Sequence, residues 1–538
     1  MQTSLNHIEY REKYTNTFFL RGLKKKSLLV LLMLFSLLAY TQEKRKVEFQ
    51  AARMKQSENI ANGQLLLDHV VIKHKDILMY CDSAITYEGT NKVDAFGHVH
   101  INKADSVHLY ASEVYYDGDK SFAKAKYNVK LLNKEATLYT DTLDYDMELN
   151  IGYYNQWGKI VDSTNTLTSQ KGKYLVNENL AHFTDSVVGY NPKYILNSDD
   201  IQYNTQTEII FFKGPTTIKD STSTLYAEDG WYNTQTGDAD LRLMPRMYNK
   251  TQLLTAQKIL YDKQNGNGQA FGHGHLEDFE NRTIVNGNYV TYNEITEIAT
   301  AIDSAVFIAY DNKDSLYLHA DTLRTQPDTI EGEKTIKAYY GVRFYRTDMQ
   351  GVCDSLIYFT KDSLIQMFVE PILWSEVHQM TAERIEFTQH ANAPDEMRLF
   401  NNSFIISEQD SGKFDQIKGK DMIGYIINNK LDHIDVDGNG QTIYYAREGN
   451  GTLIGLNHAE SSNIKILLKE GKVFKIVFLK QPEGNLKPVE DIDEGEKRLS
   501  GFKLFPSLRP LSPDDIYEKP TETGEEKGNM KQQSITVK

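Results

Sequence analysis

The sequence predicts an all-β fold, an elongated β-jellyroll or taco-like stack of antiparallel strands, and three observations predict it. One apolar position recurs about every 29 residues: Met79, Leu109, Leu138, Leu167, Leu196, Leu225, Leu254, Val285, Leu318, Gly351 (the exception) and Met380. Each unit then repeats one chemistry at fixed offsets from that position, taken as zero. Offset two is always small (Cys81, Ala111, Thr140, Ser169, Ser198, Ala227, Ala256, Gly287, Ala320, Cys353, Ala382), and offset three is an acid or amide in every unit but that of Ser112. Offset seven is aromatic in nine units: Tyr116, Tyr145, Tyr174, Tyr203, Tyr232, Tyr261, Tyr292, Tyr358 and Phe387. The third observation is that no segment sustains a 3.6-residue period, so helices are expected to be scarce. A fixed period of this length implies a linear stack in which each unit packs only on its neighbours.

Taken along the chain, residues 42–63 are polar and form a lead-in. Each unit afterwards reads as an apolar strand, a polar turn just after the aromatic, and a second strand. The turns at 88–91, 117–119, 177–179, 204–206, 233–237 and 262–266 gather Gly, Asn and Asp, which accept positive φ and bond their own backbone. Offsets zero and two share one parity; offsets five (Ala84, Val114, Leu143, Ile201, Ile259, Val290) and seven share the other. A flat strand alternates faces, so both sets point inward only if the strand bends or bulges between them. The small residue at offset two suits such a bend. The section is therefore expected to be V- or U-shaped, with an apolar interior. Two strands per unit at about 4.8 Å each give a stack roughly 100 Å long. Beyond Met380 the pattern degenerates, with Ile417, Gly419, Met422 and Tyr425 as a last unit and strand-like runs at 433–445 and 464–479. Six of the twelve prolines fall in residues 481–538, which read as a solvated, disordered tail.

The net charge of −14 argues against nucleic acid, whose phosphates call for a basic surface. Lys24, Lys25 and Lys26 precede a short apolar run at 27–39, too short for the roughly 20 residues of a membrane span. Residues 1–41 are read as a segment carrying a secretory signal, with an uncleaved anchor as the alternative. No cysteine follows that run to take a lipid. Cys81 and Cys353 sit nine units apart, too far to pair, and act as small apolar fillers.

No constellation points to catalysis. His273 and His275 share strand spacing suited to a metal, yet His98 and His100 occupy the same phase of another unit, which favours strand decoration. Asp435, Asp437, Asn439 and Gly440 resemble the start of a calcium loop, but Ala446 stands where its glutamate belongs, so a tight hairpin is expected. The carboxylates at offset three interchange with amides, which proton transfer does not permit. They form a polar ladder facing water or satisfying backbone at the bend. No cofactor is expected. The apolar rungs admit two readings: a filled solenoid core, or a trough open to a ligand.

The runs MYCDSAITY (79–87), NKVDAFGHVHI (91–101), LYASEVYYDGD (109–119), LYTDTLDYD (138–146) and LYAEDGWYNTQTGDADL (225–241) resemble the OstA-like family of Bacteroidetes-type bacteria. That family is related to the periplasmic lipopolysaccharide-transport protein A and to the N-terminal domain of the outer-membrane lipopolysaccharide-assembly protein. The resemblance spans residues 64–445, including DVDGNGQTIYYA (435–446). It implies a periplasmic, non-enzymatic carrier with an apolar groove for the acyl chains of lipopolysaccharide, in association with the inner or outer membrane. It also implies edge-strand pairing with other jellyroll components of a transport bridge. The groove would be lined by Leu109, Val114, Tyr116, Leu138, Leu143, Tyr145, Leu196, Ile201, Tyr203, Leu254, Ile259 and Tyr261. The chain is longer than a single-domain bridge protein, and no membrane barrel is expected after residue 480. It is therefore divided as a jellyroll over 64–250 and its continuation over 251–480. The alternative function is a surface-exposed structural or adhesive solenoid with a filled core.

Overall fold

Each unit folds as two antiparallel strands, each bent or interrupted once near its middle. In the computed structural model the described residues are 46–518, except 57–61, 105, 135, 312–313, 329–333, 411 and 470–471. The N-terminal segment read as a signal or anchor therefore lies outside the described residues. Among them, forty strands join in one antiparallel sheet, no α-helix occurs, and no helix is long and apolar enough to cross a membrane.

The bend is a recurring bulge in which two residues of one strand oppose one of its neighbour. Along Gly63–His74 and Ile77–Tyr87 the register runs from Leu67↔Ser83 directly to Val70↔Cys81, so that Asp68 and His69 face Asp82. Both bulge residues are left-handed, at φ 60° and 52°. The same doublet recurs as Gly97-His98, Tyr127-Asn128, Asp185-Ser186, Gly272-His273, Asp303-Ser304, Tyr340-Gly341, Asn401-Asn402 and Gly438-Asn439. Gly, Asn and Asp are prominent because they carry left-handed backbone at least cost. At Gly97 and Gly272 glycine has a second reason. A Cβ there would lie 2.4 Å from the side-chain oxygens of Asp82 and Gln257, the offset-three residues.

These bulges align into a spine joining two walls. Residues 107–111 of Val107–Asp117 belong to a wall carrying position zero, the leucine wall, and residues 113–117 to a wall carrying offsets five and seven, the tyrosine wall. The offset-three residues line the spine, where the backbone N–H groups of Gln170, Glu228, Gln257, Asp354 and Glu383 donate to carbonyls of the bulge opposite. Ladder and bend thus lie where the parity of the offsets put them. Offset two is small because the walls converge there; Ser169, Ala227 and Ala320 are fully buried.

Three expectations are corrected. The lead-in contributes two short strands, Glu48–Gln50 and Arg53–Gln56, one to each wall, both paired to Gly63–His74. The expected hairpin at 435–440 is instead a spine bulge inside Lys430–Arg447, with Asp435 paired to Lys465 at 3.1 Å. The expected tail is packed over residues 483–517. Glu483–Lys487 pairs with Leu453–Lys469, and the chain then runs back as a strap over the outer face of the leucine wall. Residues 519–538 lie outside the described residues. Composition misled because a strap needs no core of its own. Ile492 and Leu499 complete a second apolar cluster with Phe404, Ile406, Ile443, Tyr445 and Leu456. Gln416, buried on that face, donates to Lys497 O at 2.9 Å and accepts from Leu499 N at 2.8 Å. Gln379 repeats this with Lys503 O and Phe505 N, both at 2.8 Å. Sheet pairing runs unbroken across residue 250, through Met247↔Leu254 and Leu254↔Leu276.

One carboxylate near the strap yields a pH prediction. Asp415 is 4% exposed and accepts a hydrogen bond from Tyr445 N at 3.0 Å. Burial pushes its pKa up to about 7, against the pull of that bond and of Arg447. The unfolded chain titrates this group near 3.9. The folded state therefore holds the extra proton, and stability falls as pH rises from about 4 to about 7. Asp415→Asn is expected to leave stability unchanged at pH 4 and to raise it by roughly 2–4 kcal/mol at pH 8. Urea titrations at the two pH values check this; equal effects at both would refute it.

Candidate functional site: the interior and its seam

The twelve residues expected to line a groove all point between the walls, and all are buried. Leu109, Leu138, Leu196 and Leu254 lie on the leucine wall. Val114, Leu143, Ile201 and Ile259 line the tyrosine wall beside the spine, and Tyr116, Tyr145, Tyr203 and Tyr261 lie further from it. None is more than 9% exposed. The leucines belong to one uninterrupted cross-strand row. It runs Leu109↔Leu131, Leu131↔Leu138, Leu138↔Ile160, Ile160↔Leu167, then through Gly189 to Leu196, Ile218, Leu225, Met247, Leu254 and Leu276. Every second member of that row (Leu131, Ile160, Gly189, Ile218, Met247, Leu276) escaped the sequence reading, although each follows its unit's position zero by 22 residues.

Opposite the spine the walls meet at their hairpin ends along a seam, closed by polar contacts between residues 38 to 47 positions apart. The Tyr116 hydroxyl lies 2.7 Å from His74 Nδ1. Lys103 Nζ donates to Asn150 Oδ1 at 2.7 Å, which also accepts from the Tyr145 hydroxyl at 3.2 Å. Asn133 Nδ2 donates to the Tyr174 hydroxyl at 3.1 Å. The Tyr203 hydroxyl accepts from Asn165 Nδ2 at 3.0 Å and donates to Asp162. Burial pushes the phenols of Tyr116, Tyr145 and Tyr203 up, so they remain hydroxyl donors across the neutral range. Tyr116, Tyr174 and Tyr203 thus fill the interior with their rings and latch its free edge with their oxygens.

The latch loosens in the middle of the stack. Leu138 and Leu196 are fully buried, whereas Leu254, Leu276 and Val285 in the same row are 7%, 9% and 5% exposed. A crevice of about 250 Å³ opens there, floored by Leu276, Val285, Tyr292, Phe307, Ile336 and Tyr358. Its edge is crossed by an ion pair between the walls, Lys334 Nζ to Asp278 Oδ2 at 2.8 Å. Burial alone would raise the Asp278 carboxyl, but Lys334 and Asn281 hold it below its ordinary value. A smaller crevice of about 170 Å³ lies beside Tyr194, Tyr232 and Tyr261.

The remaining candidates lie elsewhere. His98 and His273 sit in spine bulges. On the outer face of the leucine wall, His100 stacks on Tyr110 at 4.3 Å and His275 bonds Asn286 at 2.8 Å. Among the described residues, no group of three His, Cys, Asp or Glu side chains is placed to hold a metal. Cys81 and Cys353 are buried free thiols.

Residues 44–199 match the family described as OstA-like protein. No curated protein matches the chain. Among solved structures, the chain is similar to LptH of Pseudomonas aeruginosa, the LptA-homologous periplasmic component of its lipopolysaccharide transport device. The likeness is at 13% identity and a TM-score of 0.13, over 30% of this chain and 84% of that one. Over residues 44–199, which take in its first bent-strand units, the chain is thus similar to an OstA-like protein.

Proposed function

We propose that this chain is a non-enzymatic periplasmic carrier that holds the acyl chains of lipopolysaccharide between its two walls during outer-membrane assembly. The observation that carries the reading is the unbroken apolar row facing inward along two walls that are joined covalently at the spine alone. The walls touch in the described state, so a lipid enters by parting the seam. The magnitudes permit this. Burying each CH₂ is worth about 0.8 kcal/mol, so about ten methylenes contribute roughly 8 kcal/mol. Each seam hydrogen bond contributes about 1 kcal/mol, so opening two or three units costs less than one acyl chain returns.

Partners would add by edge-strand pairing, as the resemblance implies. At one end Glu48–Gln50 and Arg53–Gln56 pair only with Gly63–His74. At the other, Lys472–Phe478 and Glu483–Lys487 pair only with Leu453–Lys469. Both ends of the described sheet therefore offer unpaired backbone to another jellyroll.

The close packing of all twelve residues favours a second reading, a structural solenoid whose core is simply full. A photo-crosslinking amino acid at Leu143 or Ile201 separates the two. The carrier is expected to yield a lipopolysaccharide adduct from these interior positions in cells and none from Asp141 on the spine. Adducts from Asp141 alone, or from no position, would leave the filled solenoid.

A further inference from the structure

The geometry points to a lateral port in the seam at Thr325, which admits the alkyl chain of a sugar-headed amphiphile. This rests on the carrier reading and assigns it a place of access. Thr325 occupies offset seven of the Leu318 unit, where nine other units carry an aromatic. Its strand neighbours in the tyrosine wall are Ala299 and Ile336, and Ala309 lines the leucine wall across from them. Neither alanine can supply the missing ring, so a crevice of about 250 Å³ remains beneath the Lys334–Asp278 pair. Thr86, at offset seven of the other unit without an aromatic, also lines a cavity, of about 720 Å³, at the N-terminal end of the stack.

The chemistry of the crevice selects its occupant. The floor is apolar and reaches the leucine row at Leu276, Val285 and Phe307, so an inserted chain would lie directly on the interior track. The rim carries amide and hydroxyl groups from Gln252, Asn281, Thr283 and Thr360, with Asp278, Glu297 and Lys334 as its charged members. Lys334 is already paired with Asp278, so the rim meets an entering head chiefly through its amides and hydroxyls. A hydroxyl-rich sugar head can exchange hydrogen bonds with this rim, and its alkyl tail gains from burial at about 0.8 kcal/mol per CH₂.

The test uses the full chain and a dodecyl maltoside bearing a diazirine at the end of its tail, with adducts mapped by mass spectrometry. Adducts are expected on the crevice residues between 276 and 360. Thr325→Tyr, which restores the repeat's own aromatic, is expected to reduce them at least tenfold while leaving the midpoint of urea unfolding unchanged or higher. Should that variant fail to fold, Ala309→Phe fills the crevice from the facing wall and is read in the same way. Undiminished labelling in the filled variant overturns the port, as do adducts confined to the strap cluster. Interior adducts around Leu138 or Leu196 that ignore both substitutions overturn the port and leave the carrier standing. Absence of any interior adduct overturns both. Equal or stronger labelling by the same tail on a sulfate head, which has no sugar hydroxyls, overturns the choice of a sugar head.

Discussion

Tyr203→Ala is expected to destabilise the units around it by about 4 kcal/mol, the range for emptying a fully buried aromatic site. Tyr203 is fully buried, so its ring fills space between the walls while its hydroxyl joins Asn165 and Asp162 across the seam. Tyr203→Phe separates the two roles. It keeps the ring and leaves two polar partners unmatched, at a cost of about 1–2 kcal/mol. Because each unit packs only on its neighbours, neither loss should spread along the stack. Native-state hydrogen exchange is the measurement. Opening free energies should fall in strands Leu180–Asn191, Tyr194–Asn204 and Ile209–Phe212, and stay unchanged in Lys430–Arg447 and Leu453–Lys469. A uniform fall across the chain would mean that the array unfolds as one cooperative body. Little change for the phenylalanine variant would mean that the latch contributes nothing and the seam is held by rings alone.

Much of this architecture was legible because the sequence repeats. Parity between offsets zero, two, five and seven required a bend, and the bulges at Asp68-His69 and Gly97-His98 supply it. The same parity placed Leu109, Leu143 and Tyr203 inward. What escaped has a common cause: contacts made across the stack and not within a unit. Asn133 and Asn165 sit in polar hairpins and look like ordinary turn residues. Their amides become seam partners only because the opposite wall brings Tyr174 and Tyr203 against them from about 40 residues away. Gln350, Gln379 and Gln416 likewise have unremarkable sequence contexts, yet each amide holds a strap more than 80 residues distant. Whether the interior is a trough or a core was not legible at all. Periodicity fixes which way a side chain points. The separation of the walls follows from how the volumes on both walls add up, as Tyr203 and Leu196 illustrate by filling their section completely.

The two departures from the repeat in the C-terminal half should respond in opposite ways to restoration, and Gly351 gives the larger effect. Gly351 occupies position zero, where other units carry an apolar side chain. Its strand partner in the leucine row is Phe344, whose ring leans over it. A Cβ at Gly351 would lie 2.4 Å from Phe344 Cε1 and 2.5 Å from Cζ, with Met367 Cε at 3.1 Å. Phe344 is 1% exposed, so the ring has nowhere to retreat. Gly351→Leu therefore overpacks a closed section and is expected to cost at least about 3 kcal/mol. Thr325→Tyr, by contrast, adds its ring to an existing crevice. Phe344→Ala alone empties the same volume and should cost about 3–5 kcal/mol. Combined with Gly351→Leu it should recover at least about 2 kcal/mol of the summed loss, because the leucine refills what the phenylalanine vacates. Denaturant unfolding of the four proteins in this cycle gives the coupling. Additive losses would show that the two residues do not share one volume, and that the interior there keeps room its static packing conceals.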